Sequence, residues 1–467
     1  MNNCKIKPSL VNQFINNCFD KNVRIRSFVV YYQNEIVADV SIWPYQSTDI
    51  QQVYSISKSF TSTACGLLYD KGLLDLEEKV IDLFPDVTLY NHSKHLSKLC
   101  IKHLLSMNTG HSTDTASTIL SSTNPVEDFL NIDLEYEPGT HFVYNSGASY
   151  MLSAIVQQKT KTRLVDFLAQ YLFPNLDIQT YHWGCDQTGR NLGGFDLHIS
   201  NKDVNKLGQL YLNQGLFRGK RIISKEWVSL ASKMWSDTSI YDYSFDWKHG
   251  YGLHFWLNGT DGYRADGAYG QICLIEPKHN IVFSMLSESN NMQEELTCMQ
   301  ELINQIEVTQ PHQQLKLDYY PPIGNDCLKH EIIEETYDLE FNRWNFKTLK
   351  LTLNDDLLVL TWDYGGGIFT INSSMNDWHM NHTLGPRLIR KLFMEDDIVI
   401  EKQSFYSSFE YSDQHILLII RYTTIPHTHK LIIRRGGGVV DAEWLSSFNF
   451  YGNDKTHIRG NISGKSK

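Results

Sequence analysis

The hydrophobic rhythm of this chain changes once, across the polar, proline-rich stretch 308–325 (VTQPHQQLKLDYYPPIGN). Before it, segments of helix and strand period alternate. After it the period is two: Leu349, Leu351 and Leu353, then Leu358, Leu360 and Trp362, then Ile398 and Ile400, and the apolar run Ile416 to Ile420. A period of two lines one face of a strand, whereas a helix face recurs every ~3.6 residues, so one packing scheme cannot serve both halves. At 467 residues the chain also exceeds the size, about 250 to 300 residues, at which single cores stop growing. The sequence predicts an α+β domain over 1–307, a linker over 308–325 and an antiparallel β barrel or sandwich over 326–467. Gly365-Gly366-Gly367 and Gly436-Gly437-Gly438 supply turns in the latter.

Within the first domain, Phe28 to Tyr32 and Ile36 to Val40 flank Gln33-Asn34 and predict a hairpin. From Ser55, apolar residues at Phe60, Ala64, Leu67 and Leu68 predict a helix with one buried face, stopping near Gly72. Further helices are expected over 101–106, 149–158, 163–171 and 201–214. The stretch 271–286 reads as two strands around Pro277-Lys278-His279-Asn280, which the opening hairpin can join in one sheet.

Several functions are disfavoured by composition. A net charge of −11 argues against a nucleic-acid partner, which needs a basic patch to neutralise phosphates. No apolar run reads as a signal sequence or a membrane span, and eight cysteines without paired short spacings suggest neither a zinc site nor a disulfide framework. Reduced thiols in the cytoplasm are the expectation, with a processed exported form as the alternative. Neither glycine triplet has the spacing of a phosphate loop. No cofactor or metal is expected: the pairs His92/His95 and His427/His429 lack completing ligands and read as exposed loop histidines.

The chemistry concentrates in Tyr54-Ser55-Ile56-Ser57-Lys58-Ser59-Phe60. A serine hydroxyl is a weak nucleophile at neutral pH and needs an adjacent base. At a helix start, S-x-x-K brings Lys58 back to the face of Ser55 one turn later, and burial would lower the lysine pKa enough to make it a proton acceptor. The same helix end offers backbone N–H groups to developing negative charge. Taken alone, four such residues fit a capped helix carrying a surface lysine better than a catalytic pair.

The surroundings add to the motif. Residues 54–80, then Ile101 to Gly110, Glu137-Pro138-Gly139-Thr140 running into Tyr144-Asn145-Ser146, Leu207 to Leu212, and Ile223 to Val228 occur in an order that resembles the serine β-lactamase and penicillin-binding-protein-like hydrolases. The match is to the branch with class C β-lactamases, D-aminopeptidases, aminohexanoate-oligomer hydrolases and esterases. It spans roughly residues 25–300 and implies an antiparallel sheet flanked by helices. It also implies Ser55 as the acylated nucleophile, Lys58 as its proton partner and Tyr144 as a second proton carrier, with Ser146 where this branch commonly has asparagine. A phenol near an ammonium can be pushed toward phenolate, which is the physical reason for Tyr144. Lys58 and Tyr144 both remain candidates for the first base.

The third element departs from the pattern. Where lactamases and penicillin-binding proteins usually carry Lys-Thr-Gly or His-Thr-Gly, this chain has Ala265-Asp266-Gly267. The cation that helps hold a substrate carboxylate is missing, and Arg264 could replace it only if the register moved by one. Ser146, Asp266, Gly267 and Ala268 are then substrate-binding positions, with the N–H groups of Ser55 and Ala268 as the oxyanion hole. The resemblance implies a serine hydrolase cleaving an ester or amide of a small molecule or peptide, with D-alanyl peptidase or weak β-lactamase activity as narrower variants. The contrasting expectation is an inactive binding protein on the same fold.

Overall fold

In the computed structural model the described residues are 3–91, 93–306, 308–313, 317, 319–324, 332–386, 400–412, 415–447 and 455–463. They form two compact units, Met1–Ser41 with Tyr45–Lys316 and Ile42–Pro44 with Leu317–Lys467. None of the described helices is long and apolar enough to cross a membrane.

The first unit is built on an eight-stranded sheet in the order Val308–Gln313, Asn3–Ile6, Glu35–Ser41, Arg24–Tyr32, Ile281–Glu288, Gln271–Glu276, Tyr263–Gly267 and Trp256–Leu257. All its pairings are antiparallel. The expected hairpin turns at Gln33 (φ 49°) and Asn34 (φ 70°), the doubly positive φ of a tight turn whose twist suits paired strands. It joins the later strands as expected, Val29 opposite Ser284. The polar stretch expected to link the domains contributes Val308–Gln313 to the sheet edge, where a proline is tolerated because an edge strand leaves N–H positions outside the ladder.

Alternation along Ile281–Glu288 divides the packing between the sheet's two faces. Phe283 meets Phe14 of the Pro8–Asp20 helix, ring centroids 5.5 Å apart, and the Met292–Ile303 helix packs beside that one. On the other face Asn205 of the Asn201–Leu212 helix donates to Val29 O (3.0 Å) and Ser284 Oγ (3.1 Å). Gly208 lets that helix close on the sheet, since a Cβ there would lie 2.4 Å from Val282 Cγ1.

The Ile56–Asp70 helix is buried on every face from Ile56 to Leu68, not on one as its pattern suggested. It is a central element between the Ser146–Thr160 and Lys225–Ser232 helices and the Tyr263–Gly267 strand. Its polar side chains tolerate this because each is bonded: Ser59 Oγ donates to His254 O (2.8 Å), Thr61 Oγ1 to Gly193 O (2.6 Å) and Ser62 Oγ to Leu253 O (2.8 Å).

In the second unit nine described strands close a barrel. Ile333–Leu339, Thr348–Asn354, Leu357–Asp363 and Ile368–Ser374 follow one another, and Ile400–Tyr411, Ile416–Tyr422, Thr428–Gly436, Val439–Ser446 and Lys455–Ile462 return to the first. A parallel contact of Ser374 with Ser408 closes the ring, and His379–Pro386 pairs outside it. The period-two residues Leu349, Leu351, Leu353, Leu358, Leu360 and Trp362 are all fully buried in its core. Ile398 lies outside the described residues, as does the side chain of Ile400.

Candidate active site

Ser55 is the N-cap of the Ile56–Asp70 helix and Lys58 sits in its first turn. The lysine is fully buried, and Nζ donates to Ser55 Oγ (3.1 Å), Ser146 Oγ (3.2 Å) and Gly194 O (2.9 Å). All three N–H donors of an ammonium thus have acceptors, and one is the candidate nucleophile. Burial lowers the Lys58 pKa to about 8, partly opposed by the carboxylates of Asp114 and Asp266.

Tyr144 faces this group from the segment before the Ser146–Thr160 helix, with Lys58 Nζ 4.7 Å from its ring centroid. The ring stacks on Trp256 at 5.7 Å and 11°. Desolvation drives its pKa well above 10, and the neighbouring Ser55 hydroxyl offsets only part of that. The expectation that the ammonium would bias Tyr144 toward phenolate therefore fails in the resting site, because loss of water first and the Asp266 carboxylate second both favour the neutral phenol. It is a neutral phenol.

Asn145 fixes the position of its neighbours. Its Oδ1 caps the Ser146–Thr160 helix, accepting from Gly147 N (3.0 Å) and Ala148 N (3.3 Å), and also accepts from Thr115 Oγ1 (2.9 Å). Asp114 accepts from Ser146 N (2.8 Å) and so holds the serine that Lys58 contacts.

The Tyr263–Gly267 strand passes against the start of the nucleophile helix. A Cβ at Gly267 would lie 2.2 Å from Val53 O and 2.9 Å from Ser55 N, so only glycine allows this approach. Arg264 does not supply the missing cation. Its guanidinium is fully buried behind the strand, donating to Asp266 Oδ2 (3.2 Å), Asn258 Oδ1 (2.9 Å) and Asp246 O (3.0 Å), and lies over the Trp247 ring. Trp247 Nε1 also donates to Asp266 Oδ2 (3.0 Å). Ala268 follows the strand, its carbonyl accepting from Gln271 Nε2 (3.3 Å).

Of the residues singled out from sequence, Ser55, Lys58, Tyr144 and Ser146 converge, Gly267 abuts Ser55 N, and Asp266 interacts electrostatically with Lys58. Asp114, Gly194, Trp256 and His254 were not anticipated. His254, fully buried near Lys58, contacts Ser149 Oγ through Nε2 (3.0 Å), and its pKa falls to about 3 through desolvation and the lysine charge. No local pattern marks these residues, because only the tertiary fold brings them to the helix start. Among the described residues no cluster of three or more His, Cys, Asp or Glu could hold a metal ion. His92 lies outside the described residues, whereas His427 and His429 are buried rather than exposed; Trp444 Nε1 donates to His429 Nδ1 (2.8 Å), while His429 Nε2 is buried without a hydrogen-bond partner among the described residues.

Residues 19–304 match the β-lactamase family model. The chain is 24% identical over 302 residues to the 6-aminohexanoate-dimer hydrolase of Paenarthrobacter ureafaciens, covering 60% of this chain and 75% of that protein. The octameric penicillin-binding protein homologue from Pyrococcus abyssi superposes with a TM-score of 0.52 at 15% identity, over 96% of this chain and 99% of that one. EstCE1, a hydrolase with promiscuous acyltransferase activity, superposes at TM-score 0.54 and 15% identity, over 63% of this chain and 98% of its own. This chain belongs to the β-lactamase family, the serine β-lactamase and penicillin-binding-protein-like fold whose members include hydrolases.

Proposed function

We propose that the protein is a serine hydrolase that cleaves an ester or small linear amide through an acyl-enzyme on Ser55. The observation that carries this reading is the contact of Lys58 Nζ with Ser55 Oγ at 3.1 Å in a buried site that lowers the lysine pKa to about 8. A lysine with that pKa has an appreciable neutral fraction near pH 7 to 8, so it can take the serine proton; the neutral phenol of Tyr144 cannot. Lys58 is therefore the first base.

In this mechanism Ser55 Oγ attacks the acyl carbon as its proton passes to Lys58 Nζ. The N–H groups of Ser55 and Ala268 hold the oxyanion. Collapse breaks the bond to the leaving alcohol or amine, which takes a proton relayed from Lys58 through Tyr144. Water then attacks the acyl carbon, its proton passing through Tyr144 to Lys58, and the Ser55 Oγ–acyl bond breaks to release the carboxylic acid as Lys58 returns the proton to Oγ. No cofactor is required.

The substrate class draws on the relatives. One acts on a 6-aminohexanoate dimer and another is a hydrolase with acyltransferase activity, which favours linear acyl substrates over β-lactams. Ala265 and the turned-in Arg264 point the same way. The seven described cysteines are free thiols, which suits the cytoplasm as the place of action.

Hydrolysis of p-nitrophenyl acyl esters, short linear amides and a penicillin tests the reading. Ester or amide turnover, lost in Ser55→Ala and rising with pH through about 8, is expected. Turnover that survives Ser55→Ala would refute it.

A further inference from the structure

The backbone is left-handed at two tyrosines that flank the oxyanion donors. Tyr54, directly before Ser55, has φ 46°, and Tyr269, directly after Ala268, has φ 63°. Side chains larger than glycine keep this conformation only where the surrounding contacts over-determine it, and such positions gather at functional sites. The two rings meet edge-on, with centroids 5.3 Å apart at 69°. Gly270 follows with φ 87° and completes the turn from the Tyr263–Gly267 strand into Gln271–Glu276.

Two buried amides hold this turn. Gln271 is fully buried, and its Nε2 donates to Tyr269 O (2.9 Å), Ser287 O (3.0 Å) and Ala268 O (3.3 Å). An amide nitrogen has two N–H bonds for these three carbonyls, so the longest contact is a shared one. Its Oε1 accepts from Gln51 Nε2 at 2.6 Å. Gln51 is also buried, in the short Gln51–Gln52 strand that leads into Ser55, and its backbone pairs with Ile199. The segment carrying one oxyanion donor is therefore bonded, through two side-chain amides, to the turn carrying the other. Folding alone would be served as well by an apolar pair of the same shape, because a buried amide that bonds mainly replaces its lost water contacts.

We propose that the Gln51–Gln271 bridge sets the spacing between the N–H groups of Ser55 and Ala268, so that both aim at one developing oxyanion. This rests on the hydrolase reading above and adds two positioning residues to it. Both glutamines act through the backbone they hold. Donors fixed in place before the reaction stabilise the oxyanion most, and a small misplacement of one of them is costly.

The test compares the native protein with Gln51→Leu, Gln271→Leu and the double variant, using p-nitrophenyl butyrate and a carbonyl-labelled p-nitrophenyl dimethylcarbamate. In each variant kcat and kcat/KM for the ester should fall together by about 10- to 100-fold, as expected when an interaction made only in the transition state is lost. The double variant should be no slower than Gln271→Leu, because the two amides act as one bridge. In infrared spectra of the Ser55 carbamoyl adduct, the carbonyl stretch should lie at higher wavenumber in the variants, since a carbonyl that loses hydrogen bonds is less polarised. A role in stability alone would lower the melting temperature and leave that frequency in place. Native-like kcat in both single variants, a loss confined to KM, or an unmoved stretch, in protein whose Ser55 is acylated, would overturn this inference alone. Gln51→Leu leaves the turn's own bonds intact and decides the matter if Gln271→Leu does not fold. Failure of both reagents to acylate Ser55 in the native protein would defeat the hydrolase reading and this inference with it.

Discussion

The two units bury different kinds of side chain. The barrel interior is mainly aliphatic and aromatic, with Leu349, Leu360, Trp362, Phe405 and Ile433 fully buried around a closed ring and His429 as a buried titratable group among them. The β-lactamase-like unit instead buries Lys58, Arg264, Asp266, His254 and Glu295, the last with its pKa pushed up to about 8 by burial. Apolar burial stabilises in proportion to area, whereas a buried charge gives little net stability even when paired. The barrel core is explained by folding alone; the Lys58 group is not. Buried ionisable residues gathered at one helix start, with shifted pKa values, are what catalysis uses and stability does not need.

Four substitutions can break or sharpen this contrast. Tyr144→Phe should lower kcat for ester hydrolysis by about 10²- to 10⁴-fold, the usual worth of a positioned proton carrier, while circular dichroism shows an unchanged fold. Unaltered kcat would return Tyr144 to the role of a packed aromatic. In the barrel, Trp362→Ala should cost about 3 to 5 kcal/mol of stability, read from the denaturant midpoint of that unit's transition, because nothing refills the space it leaves.

Lys58→Met carries the opposite sign at neutral pH. The folded pKa of Lys58, about 8, lies below the ordinary 10.5, so between those values the unfolded chain holds more protons. The charge-burial penalty is present in full below pH 8 and is gone above pH 10.5. Unfolding free energy of the native protein relative to Lys58→Met should therefore climb by about 3 kcal/mol between pH 7 and 10.5. A flat difference would mean that the lysine is not strained by burial. The smallest effect is expected for Asn145→Ala, which removes a helix cap worth about 0.5 to 2 kcal/mol, measurable as a lowered melting temperature.

Sequence reading reached the helix carrying Ser55 and Lys58 because an i,i+3 pair at a helix start is a local pattern. Tyr144 and Ser146 came only from the resemblance to the family's ordered motifs, since alone they look like a core aromatic and a helix-start serine. The barrel strands were readable, like the Ser55 helix, through a local pattern, their strict period of two. What escaped depends on chain segments meeting far apart in sequence. Gly194 O and Asp114 are polar groups in loops without periodicity, and no spacing predicts that they meet Lys58. Burial of the Ile56–Asp70 helix on every face as far as Leu68 was hidden by its serines and threonines, which look solvent-facing until their carbonyl partners at 193, 253 and 254 are known. The electrostatic state of Tyr144 was misjudged because sequence shows the neighbouring charge but not the depth of burial. The inward turn of Arg264 belongs to the same class, since strand register decides which face its side chain takes.

Intact-protein mass after incubation with a fluorophosphonate, followed by peptide mapping, tests the central claim most directly. The account predicts one adduct on Ser55, formed faster as pH rises through about 8 and absent in Ser55→Ala. An adduct on another residue, or no adduct with folded protein, would contradict it.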